Sequence, residues 1–127
     1  MVDRMRTRDL RTRVFEFGCA VVSFSRDLSK KPGVQRQIAW QLAAAATSAG
    51  ANLEEAKAAY SRRDFAAKNA IALKEMREAQ YWLRVIDRCR LASTTNVEPL
   101  LAEAAELTAM LTAGMRQLNP TQPKPTR

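Results

Sequence analysis

The stretch that decides the fold, residues 34–56, reads VQRQIAWQLAAAATSAGANLEEA. Its apolar side chains recur at steps of four and three residues, which is the period of one face of an α-helix and not the alternation of a strand. The residues on this face are Val34, Ile38, Leu42, Ala45, Ala49, Leu53 and Ala56. The pattern predicts a long helix that ends near Tyr60 and buries one side.

The same period recurs in three further segments of the 127-residue chain. The first segment carries Leu10, Val14, Phe17, Val21, Phe24 and Leu28. The third carries Phe65, Asn69, Ala72, Met76, Ala79, Leu83 and Ile86, and the last carries Leu100, Ala104, Leu107, Leu111 and Leu118. Because the predicted connections have only a few residues, successive helices are expected to run antiparallel. The sequence therefore predicts an all-α fold, an antiparallel up-down-up-down four-helix bundle.

Local signals mark where two of the helices begin. Ser61 is placed to cap the third helix by accepting a hydrogen bond from the N–H of Asp64. Thr95 and Glu98 have the spacing of a capping box for the fourth helix, and Pro99 would then lie in its first turn. The chain divides into a basic N-terminal segment at 1–8, the four-helix bundle at 9–118 and a proline-rich, disordered tail at 119–127.

Composition excludes most catalytic chemistry. The chain has no histidine, so it offers no Ser-His or Cys-His nucleophile, no imidazole base and no histidine-ligated metal site. Cys19 and Cys89 fall within apolar helical stretches and are predicted to pack as small hydrophobic side chains in a reducing compartment. We expect no enzyme activity, cofactor or metal, although paired carboxylates can perform acid–base chemistry without histidine. The absence of a signal peptide or long apolar run predicts a cytoplasmic protein without membrane contact.

Three features exceed what one bundle requires and predict a homo-oligomer. Residues 43–51 form a run of small side chains around Gly50. Glycine inside a helix costs about 1 kcal/mol relative to alanine, so Gly50 indicates a close approach by another helix, either within the bundle or from another subunit. Trp40 lies off the main apolar face of its helix. The third helix carries a second, partly apolar face: Ile71, Glu75, Glu78, Trp82, Val85 and Cys89.

Positive charge is concentrated in the first and third helical segments of a chain with a net charge of +8. One face of the third helix carries Lys74, Arg77, Tyr81, Arg84 and Arg88, and a similar row near the start carries Arg4, Arg8, Arg11 and Phe15. An aromatic ring among cations suits phosphate contacts combined with stacking of a base or sugar. The rows predict binding of RNA or DNA through the phosphate backbone, with a merely solvated basic face as the alternative.

The central residues resemble those of the bacterial four helix bundle protein family. The resemblance rests on TSAGANLEEA at 47–56, SRRDFAAK at 61–68, IALKE at 71–75, Glu78 and YWL at 81–83, and it extends from about Arg11 to Leu118. That family includes proteins encoded by intervening sequences of 23S ribosomal RNA genes, once labelled S23 ribosomal proteins. Its relatives include the accessory variability determinants of diversity-generating retroelements.

The resemblance implies a homopentamer of four-helix bundles. In the retroelement branch it also implies a basic surface that binds nucleic acid and a reverse transcriptase, whereas most family members have no established activity. Asn52, Glu75 and Glu78 match family motif positions, and we expect them to join Ser48 and Arg36 in a partly buried polar network that fixes helix register or subunit docking. The expected function is a non-catalytic oligomer that binds RNA or DNA, and the alternative is a protein–protein scaffold.

Overall fold

The structure, a computed structural model, describes the backbone of residues 2–118 and the side chains of residues 10–118. This part of the chain forms four α-helices and contains no β-strand, which confirms the predicted all-α class. The helices are α1 (Val2–Leu28), α2 (Val34–Lys57), α3 (Arg62–Arg88) and α4 (Thr94–Leu118).

One apolar stripe of each helix faces the other helices and forms the core. The largest fully buried side chains are Val14, Val21, Leu42, Met76, Leu83, Ile86, Val97 and Leu107. Removing an aliphatic side chain of this size from water stabilises the fold by roughly 1.5–3 kcal/mol. The predicted stripes are confirmed in their central parts, whereas Val34, at the first position of α2, is exposed. Since α2 contributes mainly alanines to the core, its neighbours pack close to its backbone.

Each helix contacts two neighbours, in the pairs α1–α2, α2–α3, α3–α4 and α1–α4. Within the described residues the diagonal pairs, α1 with α3 and α2 with α4, bring no two Cα atoms within 8 Å of each other. The directions of α1 and α2 are opposite, because Gly50 faces Val14 whereas Gly18, one turn further along α1, faces Ala46. The helices thus surround one core, and α1 and α3 lie on opposite sides of it.

The predicted cap of α3 is confirmed. The N–H of Asp64 donates to the hydroxyl oxygen of Ser61 at 3.0 Å, and Asp64 lies in the first turn, where the helix dipole favours a negative charge. The connection before α2 ends at Gly33, whose φ of 100° is a left-handed value that side chains disfavour. Glycine is therefore required at this break in the helical pattern.

A Schellman motif ends α3. The N–H of Leu91 donates to the carbonyl of Ile86 at 2.9 Å, and the N–H of Arg90 donates to the carbonyl of Asp87 at 3.2 Å. Arg90 occupies the left-handed position of this motif with a φ of 55°, where glycine is the usual residue. The chain therefore carries backbone strain at the start of the α3–α4 connection.

Helix α2 ends at Lys57, before the predicted end near Tyr60. The N–H groups of Ala58 and Ala59 each donate to a carbonyl three residues earlier, both at 3.1 Å. These tighter bonds close the last turn and prevent the helix from continuing.

The predicted capping box at Thr95 and Glu98 is wrong. Helix α4 begins at Thr94, and the carbonyl of Ser93 accepts hydrogen bonds from the N–H groups three and four residues later, at 3.0 and 3.1 Å. Ser93 thus occupies the N-cap position and Thr95 lies inside the helix. Pro99 falls in the second turn instead of the first, where it leaves the Thr95 carbonyl without a helical N–H donor.

Helix α1 begins at Val2, so the helical backbone is continuous across the predicted boundary between residues 8 and 9. The division of the chain into three parts stays a prediction. The proposed tail, 119–127, lies outside the described residues.

An ion cluster joins α1 to α4. Arg13 donates to both carboxylate oxygens of Glu103, at 2.7 and 3.2 Å, and to Glu106 at 3.3 Å. Hydrogen bonds from Arg13 to these two carboxylates raise the pKa of its guanidinium above the ordinary value. Lys68 of α3 pairs with Glu55 of α2 at 2.8 Å, and that hydrogen bond likewise raises the pKa of Lys68. These contacts fix neighbouring helices relative to one another.

Candidate nucleic-acid interface

The outer face of α3 carries the predicted basic row, which we call the α3 row. It consists of Lys74, Arg77, Tyr81, Arg84 and Arg88, and all five side chains are exposed. The row lies on the side of the helix opposite the buried stripe of Ala72, Met76, Ala79, Leu83 and Ile86. At a rise of about 1.5 Å per residue, it is roughly 21 Å long.

No carboxylate among the described side chains neutralises the α3 row. In the part of the chain that the structure describes, none of its four cations forms an ion pair. The acidic residues of α3 lie off the row: Glu78 accepts a hydrogen bond from Trp82, and Asp64, Glu75 and Asp87 are half-buried. The cations are therefore available to an external anion such as a phosphate.

Tyr81 is the single aromatic residue in the middle of the α3 row. Its side chain is 54% exposed, and its ring meets the Trp82 ring edge-on, with the centroids 5.1 Å apart and an interplanar angle of 73°. The indole N–H of Trp82 donates to Glu78 at 3.2 Å. Arg77 precedes Tyr81 by four residues and Arg84 follows it by three, so both are its neighbours on the helix surface.

The predicted row on α1 does not extend the α3 row. The side chains of Arg4 and Arg8 lie outside the described residues, and Arg11 is half-buried beside α2. Because α1 and α3 are diagonal in the bundle, Arg11 and the α3 row are on different sides of one protomer. The spacing of residues in the sequence predicted the row on α3, but it did not predict on which side of the bundle this row lies relative to α1.

An apolar groove between α1 and α2, which we call the α1–α2 groove, is a concave feature that the sequence did not predict. It encloses about 400 Å³ and is lined by Arg11, Val14, Phe15, Gly18, Cys19, Val22, Ala46, Thr47, Gly50, Ala51 and Glu54. Phe15 is 62% exposed at its edge. The sequence does contain a pattern that indicates this groove. Phe15, Cys19 and Val22 recur on α1 at steps of four and three residues, off the buried stripe.

The structure contradicts one of the two explanations of Gly50 and the predicted packing of both cysteines. Gly50 is not forced by a tight contact within the bundle, because a Cβ placed there would lie 3.8 Å from Val14, which is an ordinary van der Waals distance. Cys19 and Cys89 are exposed and not packed as core residues. Cys19 lies on the outer side of α1, and Cys89 follows the last residue of α3, so neither lies on the buried stripe of its helix.

The outer face of α2 carries no charge over most of its length. From Gln37 to Leu53 the sequence contains no charged residue, and Trp40 on this helix is 73% exposed. The second face of α3 is half-buried at Trp82 and Val85 and exposed at Ile71. Large apolar side chains thus reach solvent on the faces for which the sequence predicted a subunit contact.

The predicted polar network does not form within one protomer. The side-chain amide of Asn52 donates to the carbonyl and hydroxyl oxygens of Ser48, at 2.9 and 3.3 Å, and Glu78 accepts a hydrogen bond from Trp82. Arg36 donates to the carbonyl of Ser29, in the connection before α2. Glu75 has no hydrogen bond among the described residues. The other members of the predicted network thus find partners on their own helix or in the adjacent connection, whereas α2 and α3 are joined by Lys68 and Glu55, which the prediction did not include.

Among the residues that the structure describes, no three Cys, Asp or Glu side chains converge so as to hold a metal ion. Over the same residues, none of the four helices has the length and apolar composition that a bilayer crossing requires.

The fold and these surfaces define a class: a small all-α protein of four helices, with a cationic outer face on one helix and an uncharged face on its neighbour. The chain belongs to the 23S rRNA-intervening sequence protein family, whose family model matches residues 8–113. This confirms the resemblance found in the sequence.

Solved structures match as well. One is the crystal structure of a protein of unknown function from the S23 ribosomal protein family of Bacteroides thetaiotaomicron. It is 29% identical to this chain, with a TM-score of 0.77, and the match covers 84% of this chain and 98% of that one. No curated protein matches the chain.

Proposed function

We propose that this protein is a non-catalytic, cytoplasmic homo-oligomer, a pentamer by its family resemblance, that binds RNA or DNA through phosphate contacts made by the α3 row. Each protomer is an up-down-up-down bundle, an arrangement supported by the short connections and by the opposite directions of α1 and α2. The single observation that carries the proposal is the α3 row itself, with four exposed cations that have no carboxylate partner among the side chains at 10–118.

Electrostatics support phosphate as the ligand. Cations already paired with carboxylates gain little from an added anion, whereas the cations of the α3 row are unpaired in the described part of the protomer. The net charge of +8 also attracts a polyanion from a distance. The family takes its name from sequences that intervene in 23S rRNA, which makes RNA the first nucleic acid to test.

Charge also supports self-association through the face formed by the α1–α2 groove and the outer side of α2. Two copies that each carry +8 repel one another, so they meet best where each presents little net charge, and the groove is lined by one cation, Arg11, and one carboxylate, Glu54. This face offers the uncharged run from Gln37 to Leu53, together with exposed Trp40 and Phe15. The partner proposed for it is therefore a second copy of the chain, and burial of the large aromatic side chains supplies the driving force.

Salt-dependent binding tests the nucleic-acid part of the proposal. Replacing Lys74, Arg77, Arg84 and Arg88 with glutamine removes the four cations of the α3 row. We expect this variant to lose most of its affinity for RNA in fluorescence anisotropy. The slope of log affinity against log salt should flatten by about 0.7–0.9 for each phosphate that the variant no longer neutralises.

A matched control separates the α3 row from overall charge. Glutamine at Arg26, Lys31, Lys57 and Arg116 removes four exposed cations outside the row and lowers the net charge equally. This variant should keep most of the wild-type affinity and slope. Equal losses in the two variants would contradict a localised site, and no binding by the wild type at low salt would favour the scaffold alternative, in which the exposed apolar face recruits another protein such as a reverse transcriptase.

A further inference from the structure

The surroundings of α3 restrict which nucleic acid its row can bind. Helix α3 packs between α2 and α4. Packed helices are about 8–10 Å apart and each is about 10–12 Å wide, so the surface around α3 is broader than the B-DNA major groove of about 12 Å. The major groove of A-form RNA is narrower still. Helix α3, with a neighbour on each side, is therefore poorly shaped to sit deep in a duplex groove, and a duplex meets the row mainly along its phosphate backbone.

Tyr81 has no role in that backbone contact. A neutral phenol neutralises no phosphate, and bases inside a duplex are already stacked on their neighbours. In a single strand the bases are free, and stacking on an exposed aromatic ring is the common way in which proteins hold them. Arg77 and Arg84 flank the Tyr81 ring, so they can hold the phosphates on either side of a stacked base.

The ring of Tyr81 is also oriented before any ligand arrives. Its edge-on contact with Trp82 and the hydrogen bond from Trp82 to Glu78 restrict its motion, while 54% of the side chain stays exposed. Little conformational freedom then disappears when a base stacks on it. We infer that the α3 row is a site for single-stranded nucleic acid, with one base stacked on Tyr81. This inference rests on the nucleic-acid binding proposed above and names its substrate class.

The test compares three probes of equal length in the full-length protein: oligouridylate, the duplex of oligouridylate with oligoadenylate, and an abasic strand. Tyr81→Ala should weaken binding of oligouridylate about tenfold and leave the affinities for the duplex and the abasic strand unchanged. Tyr81→Phe keeps the stacking surface and should bind all three probes like the wild type. Oligothymidylate in place of oligouridylate shows whether the 2′-hydroxyl contributes.

Tyr60 provides a matched control, because it is a fully exposed tyrosine outside the α3 row. Tyr60→Ala should leave every affinity unchanged. The inference is overturned if Tyr81→Ala has no effect, if it weakens all three probes equally, or if Tyr81→Phe or Tyr60→Ala loses as much affinity as Tyr81→Ala. Circular dichroism verifies that each variant retains its helices. Wild-type protein that binds the duplex and the single strand equally overturns only the inference, whereas wild-type protein that binds no probe at low salt overturns the proposed function itself.

Discussion

Ser25 shows how one atom limits the stability of the core. Among the described side chains it is the one buried polar residue, and its hydroxyl has no hydrogen-bond partner. A buried polar group without a partner costs about 1–3 kcal/mol, and replacing it with an apolar group removes that cost. Ser25→Ala is therefore expected to raise the free energy of unfolding by about 1 kcal/mol, or the melting temperature by about 3–5 °C.

Thermal unfolding at a fixed protein concentration measures this effect, because the stability of an oligomer depends on concentration. Ser23→Ala changes an exposed serine two positions earlier in α1 and should leave the melting temperature unaltered. A lower melting temperature in Ser25→Ala would mean that the hydroxyl has a partner in solution, such as a buried water.

Among helix ends, the C-terminus of α3 offers the clearest opportunity for stabilisation. Arg90 holds a φ of 55°, which costs a residue with a Cβ about 1–2 kcal/mol relative to its preferred conformations. Arg90→Gly keeps both hydrogen bonds of the Schellman motif and removes the strain. We expect it to stabilise the protein by about 1 kcal/mol in chemical denaturation, a value that allows for the extra backbone entropy that glycine gives the unfolded chain.

Arg90→Ala separates this backbone effect from removal of the side chain. It deletes the same exposed guanidinium but retains a Cβ, so its stability should stay close to that of the wild type. If alanine and glycine stabilise the protein equally, charge repulsion near Arg88 and not the backbone conformation is the cause.

Helices as elements were predicted more reliably than their ends. The stripe from Ala72 to Ile86 is buried as its spacing required, because only a helix places residues three and four apart on one face. The starts and stops depend on single hydrogen bonds that several neighbouring residues can make. The cap of α3 at Ser61 was predicted correctly. The N-cap of α4 was predicted at Thr95, but it lies two residues earlier, at Ser93.

At the scale of the whole molecule, Trp40 tests the proposed contact between copies. Wild-type protein is expected to elute at about five times the 14.2 kDa mass of one chain, measured by light scattering after size exclusion. Trp40→Ala removes the largest apolar side chain from the uncharged outer face of α2. Truncation of a buried aromatic at an interface commonly costs about 2 kcal/mol or more, so the variant should dissociate towards the monomer.

Tyr60→Ala is the control for this experiment as well, since Tyr60 is exposed but lies in the α2–α3 connection. Its mass should equal that of the wild type. If Trp40→Ala has the wild-type mass at every protein concentration, the contact between copies lies on another face. If the wild type is a monomer, the proposed oligomer is contradicted.

The sequence by itself determined the four helices, the central residues of each buried stripe, the family, and the presence of a cationic face on α3. The helices, their buried faces and the cationic face follow from local spacing, because an α-helix converts sequence position directly into direction around an axis. The family follows from the resemblance of the central residues to those of a known family. Only the tertiary structure decided which helices are neighbours. It placed α1 and α3 on a diagonal, brought Arg13 to Glu103, opened an apolar groove beside Phe15, and left Asn52 and Glu78 bonded to partners on their own helices. These features depend on contacts between segments that are far apart in the chain. The residue pattern of one helix does not determine which face of another helix it will contact.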